Sequence, residues 1–134
     1  MQILILAAIA FPVMLVIDLL WIGVVASKFY NSQLGSMLRP DVLWVAALLF
    51  YVIYAVAIAY FVISPALATH SVSKLVISAL LLGLAAYAAY DLSNLATLAG
   101  WPITVTIVDL IWGMVFTTVT SLAVYFTAVK FLNY

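Results

Sequence analysis

The sequence predicts an all-α polytopic membrane protein, with four transmembrane helices in an up-down-up-down bundle. Composition is the first reason. Of 134 residues, 70% are hydrophobic and 6% charged, and mean hydropathy is +1.39. A soluble domain carries about 25% charged residues, and no soluble fold hides this much apolar surface, so the bilayer is the expected solvent. The second reason is segmentation: four apolar stretches each reach the roughly 20 residues that a helical span needs. The third is the absence of strict apolar/polar alternation, which excludes a membrane β-barrel.

The elements follow in order, as one domain over 1–134. The first helix is expected over 3–27. Its apolar run has no charged n-region and exceeds the ~7–15 residues of a signal-peptide core, so it reads as a retained span. Pro12 removes a backbone donor and is expected to kink it. Residues 28–41 are the most polar stretch and are expected to be a loop, with Pro40-Asp41 starting the second helix, 42–63. Ser64-Pro65 is expected to end that helix. The third, 73–98, starts in the 69–73 region, and His70 is expected at the surface. Gly100-Trp101-Pro102 reads as a tight turn, Gly at C′ and Pro at N1 of the fourth helix, 103–131. Short connections then put both termini on one side.

Three of the four acidic residues, Asp18, Asp91 and Asp109, fall inside these spans. A carboxyl in hydrocarbon is expensive and is kept where it faces a bundle interior, a cavity or a partner. Asp91 precedes Gly100 by nine residues and Asp109 follows it by nine, so both lie roughly 13 Å below one turn at ~1.5 Å per residue. Asp18 precedes the polar end at Lys28 by ten, which is a similar depth. Residues three and four apart share a helical face. That rule adds Tyr87 and Asn94 to Asp91, Trp112 to Asp109, and Trp21 to Asp18. The second helix offers Tyr51 and Tyr54. Gly83 and the alanines near it should let the third helix approach a neighbour closely. No lysine or arginine lies within a span, so the acids need protons or a counter-ion, and Arg39 is the candidate counter-ion. Trp44 and Trp101 fit an interfacial aromatic belt.

Other chemistries lack their residues. Cysteine is absent and His70 is the single histidine, so thiol redox chemistry, disulfides, metal sites and haem are not expected. No cofactor is expected. No basic patch suggests nucleic acid.

Asp18-Leu-Leu-Trp21 recurs as Asp109-Leu-Ile-Trp112 on a helix expected to run the other way, the sense of an inverted repeat. Asp18-Leu-Leu-Trp21-Ile-Gly23, Phe29-Tyr30, Leu34-Gly35, the block from Tyr90-Asp91-Leu92-Ser93-Asn94 to Leu98, Gly100-Trp101-Pro102 and Asp109-Leu-Ile-Trp112-Gly113 resemble the signature of a bacterial membrane-protein family, domain of unknown function 2177. The resemblance covers nearly the whole chain. It implies four inner-membrane helices and supports this choice of residues, but it supplies no reaction. Its relatives often begin with lysines before the first helix, which implies cytoplasmic termini; this chain begins Met1-Gln2. Its own cations are balanced, Lys28 and Arg39 against Lys74 and Lys130, and leave the positive-inside rule silent.

Three functions stay open. The acids and aromatics are expected to bind or transport a proton or a small cationic or amphipathic solute. A pathway through four helices would then need a homodimer. A membrane enzyme acting on a lipid or isoprenoid would use two carboxyls as acid and base. A structural or accessory subunit would use them only to hold helices together.

Overall fold

A chain this apolar has to satisfy its backbone polar groups internally, because lipid offers them no partners. The computed structural model, which describes all residues 1–134, does so with helices alone and contains no strand. Four helices are long and apolar enough to cross a membrane: α1 (Gln2–Met37), α2 (Trp44–Thr69), α3 (Val72–Thr97) and α4 (Ile103–Phe131).

Helix α1 is longer than the sequence suggests. It stays α-helical through Pro12 to Leu20, widens into a π-helical turn at Trp21–Ala26, and resumes over Ser27–Leu34. The expected 28–41 loop is therefore mostly helix. Nothing in Ser27–Leu34 breaks a helix; the break comes at Gly35, whose φ is +48°, and one 3₁₀ turn, Gly35–Met37, ends the element. At ~1.5 Å per residue α1 is roughly 54 Å long, against about 30 Å of hydrocarbon. The polar Ser27–Leu34 stretch is helix that has outrun the apolar layer.

Helix α2 corrects two further expectations. It begins at Trp44, with Leu43 as its N-cap, so Asp41 does not cap it. It also passes Pro65 and ends at Thr69. A proline clashes with the carbonyl four residues earlier, here that of Phe61. The turn holding Phe61, Ala59–Ile63, is π-helical, and the wider turn accommodates the ring. His70 then closes the helix in a left-handed conformation and is exposed. The Ser71 side chain accepts from the Lys74 backbone N–H at 3.2 Å and caps α3. At the next turn Gly100 takes φ +81°, and Pro102 is the N-cap of α4 rather than its first residue.

Helices α3 and α4 form the tightest pair. A Cβ added to Gly83 would meet the Gly113 backbone carbon and Thr117 Oγ1 at 2.8 Å, and one added to Gly113 would meet Tyr87 Cβ at 2.9 Å. Leu6, Met14, Ile58, Ile63, Leu75, Phe116 and Val124 make the fully buried core. Thr117, Thr120 and Ser121 of α4 are buried among them, and Asp91, Thr106 and Asp109 are the buried polar side chains nearer the Gly100 turn.

Candidate functional site: two aspartates in an aromatic cleft

Asp18 and Asp109 line one cleft of about 490 Å³. Each carboxyl accepts a hydrogen bond from a tyrosine on another helix. Tyr51 of α2 donates to Asp18 Oδ2, and Tyr30 of α1 donates to Asp109 Oδ1. Tryptophans complete the arrangement. Trp112 Nε1 donates to Asp18 Oδ1 at 3.3 Å, and Trp21 Nε1 donates to the Tyr30 hydroxyl at 3.4 Å. The two indoles stack on each other, centroids 4.2 Å apart and planes 8° from parallel.

The two Asp-x-x-Trp segments thus serve each other. The tryptophan of the α4 copy bonds the aspartate of the α1 copy. The tryptophan of the α1 copy reaches the aspartate of the α4 copy through Tyr30. Tyr87 packs on Gly113 and lines the cleft beside them. Its ring reaches there because Gly113 presents no side chain.

Asp91 is placed differently. It is fully buried beside the Asp109 carboxyl, which lies within hydrogen-bonding reach, and no N–H or hydroxyl donates to either of its oxygens. It does not line the cleft. A buried carboxyl without donors is costly, so Asp91 is the least satisfied polar group at the centre.

The chain matches the family model of predicted membrane proteins, domain of unknown function 2177, over residues 3–126. It belongs to that family. No curated protein and no solved structure matches it.

In this family member the expected residues divide into three groups. Asp18, Asp109, Trp21, Tyr87 and Trp112 line the cleft, and Arg39 lines it from an exposed position. Tyr51 supports the cleft through Asp18. Tyr54 and Asn94 lie outside it. The Tyr54 hydroxyl is 2.7 Å from Thr117 Oγ1, and Thr117 gives its own proton to the Gly113 carbonyl, also at 2.7 Å. A hydroxyl has one proton, so Tyr54 is the donor, and its bond ties α2 to α4. Asn94 is half-buried.

Arg39 does not bond either cleft carboxyl, whose donors are aromatic side chains. No three acidic or histidine side chains converge in a metal-holding group.

Tyr30, Tyr90 and Trp101 line the cleft and were not expected there. Tyr30 has a specific reason. On a regular helix of about 100° per residue, it would sit about 120° from Asp18. The π turn at Trp21–Ala26 takes up one extra residue and brings it back to about 20°. Phe29 would have held that face in an unbroken α-helix. Trp101 fits the belt pattern by composition, yet its Nε1 donates to Thr106 at 3.1 Å and its ring meets Tyr90 edge-on at 5.8 Å.

Proposed function

We propose that this protein binds a small organic cation in the cleft between Asp18 and Asp109, as a carrier or receptor within the bilayer. One observation supports this reading above the others: two carboxyls on different helices line a single cleft whose walls are Trp21, Tyr30, Tyr87 and Trp112. A cation over an aromatic face is held by the ring quadrupole, and more strongly where water is excluded. Carboxyls already oriented by tyrosine and tryptophan donors keep free lone pairs toward the cleft. A volume of about 490 Å³ suits a small-molecule ligand. Arg39, exposed on the same cleft, adds a positive charge that works against an incoming cation.

The enzyme reading would need an acid and a base facing one substrate. Asp91, the natural partner of Asp109 for that role, is shut away from the cleft. The purely structural reading fits Asp91 and Tyr54, but gives no reason for a cleft beside Asp18 and Asp109. A bacterial inner-membrane location, cytoplasmic termini and a homodimer that completes a pathway remain part of the same proposal.

The test is a tryptophan-fluorescence titration of the protein in phosphatidylglycerol vesicles with tetramethylammonium. Trp21 and Trp112 should report saturable binding in the wild type and lose it in Asp18→Asn and Asp109→Asn. An unchanged response in both variants would sink the proposal.

A further inference from the structure

A second opening sits behind the cleft. Phe50, Ala86, Tyr87 and Tyr90 line a mostly apolar groove of about 290 Å³. Tyr87 and Tyr90 also line the aspartate cleft, so the two spaces meet at these two side chains.

Helix packing explains why the groove exists. Helix α2 packs against α3 through its Ala59–Thr69 stretch, whereas its Trp44–Ile58 stretch packs against α1. The two helices converge at one end and part toward the other. Phe50 stands on the α2 side of that gap and Ala86 to Tyr90 on the α3 side. Phe50 is 43% exposed and Tyr90 57% exposed. Phe50 lies six residues inside α2 and Tyr90 seven inside α3, roughly 9–11 Å below the helix ends, a depth at which such surface meets acyl chains.

We infer that the ligand is an amphiphile, a long-chain ammonium compound whose cationic head occupies the Asp18/Asp109 cleft while its apolar chain leaves through the α2–α3 gap past Phe50. This rests on the cation-binding reading and goes beyond it, assigning the groove, a chain-bearing ligand and lateral entry from lipid. The groove suits a chain because all four lining residues are apolar or aromatic and none offers a charge. The cleft suits the head because Asp18 and Asp109 line it, whereas no acidic side chain lines the groove. A second apolar groove, lined by Leu4, Phe11, Val52 and Val56 on the α1–α2 surface, adjoins no acidic group and serves as an internal control.

The experiment uses the full chain in phosphatidylglycerol vesicles and a dodecyltrimethylammonium probe carrying a photoreactive diazirine in its chain. Labelled residues are mapped by peptide mass spectrometry, and tryptophan fluorescence is followed with tetramethylammonium in parallel. Labelling is expected to concentrate on Phe50, Ala86 and Tyr90 and to be lost with excess tetramethylammonium. It should also be lost in Asp109→Asn, and in Ala86→Phe, whose ring fills the groove, each variant first shown to be monodisperse. If tetramethylammonium alters the fluorescence but label spreads equally over the groove of Leu4 and Phe11, the lateral site is wrong and the cation cleft stands. If neither compound acts on the wild type, the cation reading fails and takes this inference with it.

Discussion

Trp21 and Trp112 lie face to face, 4.2 Å apart, and each indole serves the other helix's aspartate. This stack is the joint between α1 and α4 at the level of the cleft. Indoles so close and nearly parallel should couple in the near-ultraviolet circular dichroism spectrum. Trp21→Phe and Trp112→Phe are each expected to abolish the same feature. Both disturb a stack worth about 0.5–1.5 kcal/mol, but Trp112→Phe should lower stability more, because its lost N–H bond goes to the Asp18 carboxyl at 3.3 Å whereas that of Trp21 goes to the Tyr30 hydroxyl at 3.4 Å.

Tyr30→Phe removes the donor to Asp109 and the acceptor of the Trp21 N–H together. Groups left unpaired out of water cost about 1–3 kcal/mol. A fall in thermal stability of that order is expected. Phe29→Leu, one position away, should change little. Equal effects at both positions would contradict the register set by the π turn.

Gly83→Ala and Gly113→Ala each drive a methyl into the α3–α4 contact, at the Gly113 backbone carbonyl and the Tyr87 ring respectively. Overpacking of this sort costs about 1–3 kcal/mol. Gly23→Ala meets nothing within 4 Å and should cost nothing. Thermal unfolding in one detergent compares all three.

Arg39→Gln removes the one cation that lines the cleft. Tetramethylammonium should then bind more tightly. Because Arg39 is exposed, the gain should shrink as salt is raised, with screening over about 8 Å at physiological ionic strength. A weaker affinity in the variant would show that Arg39 shapes the cleft rather than opposing the cation.

Asp91→Asn replaces a buried carboxyl whose hydrogen-bonding neighbour is the Asp109 carboxyl with a neutral amide of the same shape that can donate to it. Thermal stability should hold or rise. Tetramethylammonium binding should weaken less than in Asp109→Asn, since Asp91 stands behind the cleft. Severe loss of folding in Asp91→Asn would show that the carboxyl makes an interaction essential to the bundle.

Hydropathy made the four helices legible, because lipid leaves a polar-poor chain few alternatives. Their ends were less legible wherever helix and hydrocarbon part company. Ser27–Leu34 is polar, and polarity read as loop, although nothing in it opposes helix before Gly35. Pro65 read as a terminus, although the π turn before it absorbs the ring. Asp18, Asp109, Trp21 and Trp112 were found by helical spacing because the backbone between each pair is regular. Tyr30 was hidden because a one-residue shift in the π turn leaves no mark in composition. Tyr54 shares a helix with Tyr51, three residues away, yet its hydroxyl has turned to Thr117. A spacing rule cannot see that choice, which depends on the Gly113 carbonyl taking the Thr117 proton.

The divergence of α2 from α3 bears on how any ligand dose should be expressed. A molecule that arrives between Phe50 and Tyr90 comes from a two-dimensional reservoir. Its occupancy is then governed by its mole fraction in the membrane, and the bulk aqueous concentration matters only through partitioning. Two preparations given the same amount of amphiphile but different amounts of lipid would show different half-saturation points, with no change in the protein at all.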